Sequence, residues 1–156
     1  METVNGIKAA ITALMAVLTA LWGWFGWLVV VWVLLMAADY ATGSAAALKA
    51  GAWSSRDASD GLWHKAGCIA AVLAAGLLDL VAGQIIANLP GVDLPFSYTV
   101  FLCPLVLVWY ILTEAGSIIE NAGEMGAPIP AWLTKAIEAL RAKVDEAGTE
   151  TDTEEK

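Results

Sequence analysis

Apolar residues in this chain come in long blocks, separated by short breaks of charge, glycine and proline. Residues 9–38 form a run of 30 without a single charge. About 20 apolar helical residues cross a bilayer core of about 30 Å. A helix that is apolar on every face is either deeply buried or embedded in lipid. The pattern predicts helices over residues 4–21, 25–48, 63–87 and 98–121. Between the first two, Trp22, Gly23, Trp24, Phe25, Gly26 and Trp27 read as a turn at a membrane surface, because Trp favours the headgroup level. One unbroken helix over residues 4–38 would reach about 52 Å, too long for one bilayer core. A hairpin, or a first helix lying partly in the interface, is therefore expected.

Residues 49–65 form a polar connection in which Ser54 or Ser55 can cap the next helix, with Asp57 in the capping-box position after Ser54. Residues 88–97 carry Pro90, Gly91 and Pro95 and read as a loop. Pro104 falls in the first turns of the following segment, where a membrane helix tolerates it. Residues 123–130 break the chain again. The next segment places Trp132, Leu133, Ala136, Ile137, Leu140 and Val144 on one face and Lys135, Glu138, Arg141, Lys143 and Asp145 elsewhere. That is an amphipathic helix, read as an interfacial anchor because Trp132 and basic residues suit the headgroup region. The expected fold is all-α: a multi-pass transmembrane domain over residues 1–126 with three to four membrane helices, a proline break and amphipathic helix over 127–147, and an acidic disordered tail over 148–156.

Composition sharpens this picture. Of 156 residues, 59% are hydrophobic and 15% charged, against about 45–50% and about 25% in an average soluble domain. Much of the net charge of −8 sits near the C-terminus, in Asp145, Glu146, Glu150, Asp152, Glu154 and Glu155. This acidity argues against nucleic-acid binding, which needs clustered Lys and Arg. Lys8 and the apolar residues after it resemble a signal peptide, but the run continues through Trp22 with no small-x-small cleavage site before it, so it is read as retained. Cys68 and Cys103 lie inside apolar runs and read as small buried hydrophobes rather than a disulfide or a zinc pair. Asp60, His64 and Cys68 share a helical spacing, but one His and one Cys are a poor metal set, and an interfacial histidine is the plainer reading. No phosphate loop or catalytic triad is present. Neither an enzyme nor a cofactor is expected.

Lys and Arg in short loops orient membrane helices. Lys49, Arg56 and Lys65 flank one connection, and Lys135, Arg141 and Lys143 follow the last apolar block, whereas residues 88–97 hold none. The 39–65 connection and the C-terminus are thus expected on the cytoplasmic side.

Asp39, Asp79 and Glu114 interrupt the apolar segments. A carboxylate at the bilayer centre costs at least about 2.5–3.5 kcal/mol on insertion scales. Asp79 shares a face with small residues, and Glu114 lies on a stripe with Tyr110, Ser117 and Asn121. The plain reading is packing within one bundle, with Lys65 as a partner. The sharper one is helix association between copies, or the lining of a water-filled opening.

The chain resembles the phage-lysis and toxin-secretion holins (phage holin family 4), which include clostridial toxin-export holins. The resemblance rests on a span ending in Asp39, Tyr40, Ala41, Thr42 and Gly43, then Ala47–Gly51 with Ser54 and Ser55. It continues in Gly61, Leu62, Trp63, His64 and Lys65 entering a span with Asp79, in Tyr110 to Glu114 continuing to Gly123, and in Gly126, Ala127, Pro128, Ile129 and Pro130 before a short helix. It covers roughly residues 25–143. It implies a small protein of the bacterial host's cytoplasmic membrane, with the lipid bilayer and further copies of itself as partners. Such a protein oligomerises and opens lesions that release endolysin as cargo. An antiholin is a further implied partner. The same features would serve an antiholin or regulatory membrane subunit, or a small transporter. The transporter fits less well, because the glycine and proline interruptions fall in loops.

Overall fold

The computed structural model describes residues 26–88 and 101–150, together with isolated positions before residue 26. Helix α1 spans Gly26–Ala50, α2 Ser55–Asn88, α3 Leu102–Glu124 and α4 Ala131–Glu150. No strand occurs among the described residues. Three of the helices, α1 to α3, are long and apolar enough to cross a membrane. Most of the expected helix at 4–21, the 89–97 part of the loop, residues 98–100 of the expected fourth helix and the last residues of the acidic tail lie outside the described residues.

The helix boundaries correct the reading from sequence. The polar connection expected over 49–65 shrinks to four residues, because α1 continues to Ala50 and α2 starts at Ser55 rather than at 63. The acidic, serine-rich residues 55–62 are helical. They extend α2 past the apolar core, where water tolerates charge without ending a helix. Ser54 does act as the expected cap, its Oγ accepting the Asp57 N–H at 3.2 Å. The last two helices run three residues beyond the expected 121 and 147, to Glu124 and Glu150.

Both α1 and α3 end in the same way. Gly51 (φ +69°) and Gly126 (φ +95°) adopt the left-handed conformation. Ala52 N–H bonds to Ala47 O at 3.0 Å, and Ala127 N–H to Ala122 O at 3.0 Å. This is a Schellman closure, which favours glycine at the turning residue. It lets α1 reverse into α2 within four residues.

Helix α3 is central. It packs against α1, α2 and α4, and its contacts with α1 are the most extensive. Trp32 lies beside Tyr110 and Asp39 beside Asn121, so α1 and α3 run parallel. Helix α2 runs antiparallel to both, with Lys65 near Glu114 and Asp79 near Cys103. The turn after α1 and the turn after α3 therefore lie on one side. The core joins Leu28, Trp32 and Met36 of α1, Cys68, Val72 and Ala75 of α2, and Cys103 and Leu107 of α3. Outside it, Leu73, Leu77, Leu78, Val81 and Ile85 of α2 are exposed. So extended an apolar surface suits lipid.

Candidate functional site

The buried polar groups gather at two levels of the bundle. At the first, near the turns, Lys65 Nζ donates to Asp39 Oδ2 at 2.9 Å and to Glu114 Oε2 at 2.6 Å. One ammonium from α2 thus ties a carboxylate from each of its neighbours. Asn121 Nδ2 donates to Asp39 Oδ1 at 3.1 Å and to Thr42 Oγ1 at 3.2 Å. A Cβ added at Gly43 would stand 3.4 Å from Asn121 Nδ2, so the bare Gly43 backbone leaves room for this amide. A polar cavity of about 360 Å³ adjoins the network, lined among others by Ser44, Asp57, Ser117 and Glu120. It has the size and polarity to hold water.

At the second level, Asp79 is 3% exposed and serves α3 directly. Its Oδ1 accepts the N–H groups of Phe101 (3.2 Å) and Leu102 (3.0 Å), and its Oδ2 that of Cys103 (2.7 Å). The next residue, Pro104, has no N–H to satisfy. The residue at the cap position, Phe101, offers no side-chain acceptor. A helix start leaves its first N–H groups unpaired and carries partial positive charge. A carboxylate from α2 answers both needs. At the opposite end of α3, Lys49 Nζ donates to the Met125 carbonyl. Each end of the central helix is thus met by a side chain of opposite charge from another helix. The two levels are 14 residues apart on α2, or about 21 Å.

Every site residue expected from sequence now has a place. Asp39, Lys65, Glu114, Asn121, Thr42 and Gly43 converge in one network, and Ser117 lines the adjoining cavity. Tyr110 stacks on Trp32 with ring centroids 5.7 Å apart. Asp79 stands apart from this group, at the second level. Pro130 precedes α4, and its carbonyl accepts the Leu133 N–H at 2.9 Å. Pro128 lies in the connecting segment, where Ile129 packs towards Gly123. Asp79 and Glu114 point into the bundle and not outward. Cys68 Sγ lies 3.7 Å from His64 Nε2. Among the described residues no three His, Cys, Asp or Glu side chains converge as metal ligands.

The sequence reading missed three features: the Asp79 cap, the Lys49 contact and the place of α4. The amphipathic helix does not lie apart as an interfacial anchor. It folds back along α3, with Ile137 against Gly116 and Leu105 against Gly148.

Comparison with known proteins places the chain in a family. Residues 16–142 match the bacteriophage holin family. The chain is 32% identical over 135 residues to an uncharacterized protein of Halalkalibacterium halodurans, covering 86% of this chain and 93% of that protein. No solved structure matches. The chain belongs to the bacteriophage holin family.

Proposed function

We propose that the protein acts as a holin of the bacterial cytoplasmic membrane. Copies accumulate with the turns after α1 and α3 on the cytoplasmic side, associate, and permeabilise the bilayer so that endolysin leaves the cell. The observation that carries this reading is the filled interior of the bundle formed by α1, α2 and α3. Cys103 and Leu107 are each 1% exposed at its centre, and Trp32 is 2% exposed beside them. The polar cavity reaches the Lys65 network, and the apolar core lies beyond it. A protomer built this way suits lipid, since its buried carboxylates have partners and its outer surface is apolar. It offers no path for solute through its own centre, so permeability has to come from several copies together.

The test is expression of this chain alone in bacteria, with membrane potential followed by a voltage-sensitive dye. A holin collapses the potential abruptly once enough protein has accumulated. An antiholin or other regulatory subunit leaves it intact, and that result would contradict the proposal. Co-expression with a cytoplasmic endolysin should then convert depolarisation into lysis.

A further inference from the structure

We infer that α4, still docked on α3, forms the water-facing wall of the permeation path in the assembled protein. This rests on the permeabilising reading above. Helix α4 runs antiparallel to α3 over most of the span. An ideal Cβ at Gly116 falls 3.7 Å from Ile137 Cγ2, and one at Gly148 falls 3.6 Å from Leu105 Cδ2. Leu105 belongs to the first turn of α3, so α4 climbs from the turn at Gly126 almost to the far end of the span. Its 20 residues reach about 30 Å, a length that matches the hydrocarbon core.

The docking is specific. Trp109 Nε1 donates to Asp145 Oδ1 at 2.8 Å, and the Arg141 guanidinium lies 5.0 Å from the Trp109 ring centroid. Leu133, Ala136, Ile137 and Val144 are half-buried, whereas Lys135, Glu138, Lys143 and Glu146 are exposed, together with Trp132 and Leu140. Lipid at this depth rejects such a face, and charged side chains inside membranes face a bundle interior or a watery cavity. A protomer alone in lipid gives α4 no water. Several copies with α4 turned inward do. The rest of the surface fits that arrangement. Helix α4 packs on α3 and makes no comparable contact with α1 or α2, so it forms one edge of the protomer. Leu73, Leu77 and Val81 of α2 remain exposed for lipid. Asp79 and Glu114 are engaged within the protomer and do not supply this wall.

The experiment joins a lock to a charge reversal. Gly116→Cys with Ile137→Cys places two thiols near disulfide reach. The bond is verified by mass spectrometry of the linked peptides, since Cys68 and Cys103 remain in the chain. Conductance is recorded in planar bilayers, oxidised and then reduced. The inference expects the oxidised protein to conduct as the reduced one does. In that locked background, Lys135→Glu with Lys143→Glu should shift the reversal potential in a potassium chloride gradient towards potassium selectivity. Loss of conductance on oxidation with recovery on reduction would show that α4 must leave α3, overturning the inference alone. An unchanged reversal potential would also overturn it. Silence of both forms, and of the unmodified protein, would remove the permeabilising reading and the wall with it.

Discussion

Lys65 Nζ stands 2.6 Å from Glu114 Oε2, joining two antiparallel spans through a pair that is almost wholly buried. The same ammonium reaches Asp39 at 2.9 Å, so one cation holds three membrane helices in register. Such an arrangement costs desolvation but defines which helix faces meet. In this chain it aligns α1 and α3 against α2 at the level of the turns.

Removing that cation should be severe. Lys65→Met leaves Asp39 and Glu114 facing each other without their shared donor. Breaking a buried pair costs about 3–5 kcal/mol. Thermal unfolding in detergent, followed by circular dichroism, should show a large drop in midpoint. Adding Asp39→Asn and Glu114→Gln to the same chain should recover much of the loss. No recovery would mean that Lys65 acts through something other than its charge.

Asp79→Leu should act locally. It removes the acceptor for three N–H groups at the start of α3. Losing a helix cap costs about 0.5–2 kcal/mol, and burial pushes the cost towards the upper end. Hydrogen exchange in micelles should quicken at residues 101–103 and change little at residues 116–121. Uniform quickening along α3 would contradict a capping role.

Much of the fold was legible in the hydropathy pattern, because a membrane core demands apolar side chains and marks where each span lies. The pattern marks the lipid and not the helix, which is why the water-exposed start of α2 at Ser55–Leu62 was read as a connection. Ser54 was recognisable as a cap because its partner, Asp57, is three residues away. The cap from Asp79 was not, since its partners are 22 to 24 residues away and nothing local marks the pairing. Amphipathic spacing showed that α4 has an apolar face but not that part of it packs on α3. The Trp109–Asp145 bond joins residues 36 apart. The Lys65 network was partly visible, because a basic residue near two membrane carboxylates is a natural partner.

Trp32 offers an opposite kind of prediction. It is 2% exposed, and its indole Nε1 has no hydrogen-bond partner among the described residues. A buried unpaired donor costs about 1–3 kcal/mol. Trp32→Phe loses apolar volume but also removes that donor, so its unfolding midpoint should stay close to that of the parent. Trp32→Ala should cost about 3–5 kcal/mol. A Phe variant as damaged as the Ala variant would show that the indole ring is indispensable at this position.

The parallel course of α1 and α3 puts the turns at Gly51 and Gly126 on one side of the membrane. Ala52→Cys and Ala127→Cys, each introduced singly, should therefore behave alike. Before depolarisation, a membrane-impermeant thiol reagent should leave both unmodified in intact spheroplasts and modify both in inverted vesicles. Labelling of the two from opposite sides would contradict the parallel packing of α1 and α3.

Release of trapped dye from vesicles of bacterial phospholipid, measured against the number of purified chains per vesicle, tests the account most directly. Little release is expected at low density, with a steep rise once several copies share a vesicle. Release in direct proportion to chain number from the lowest density would contradict permeation by assembly. No release at any density would contradict permeation itself.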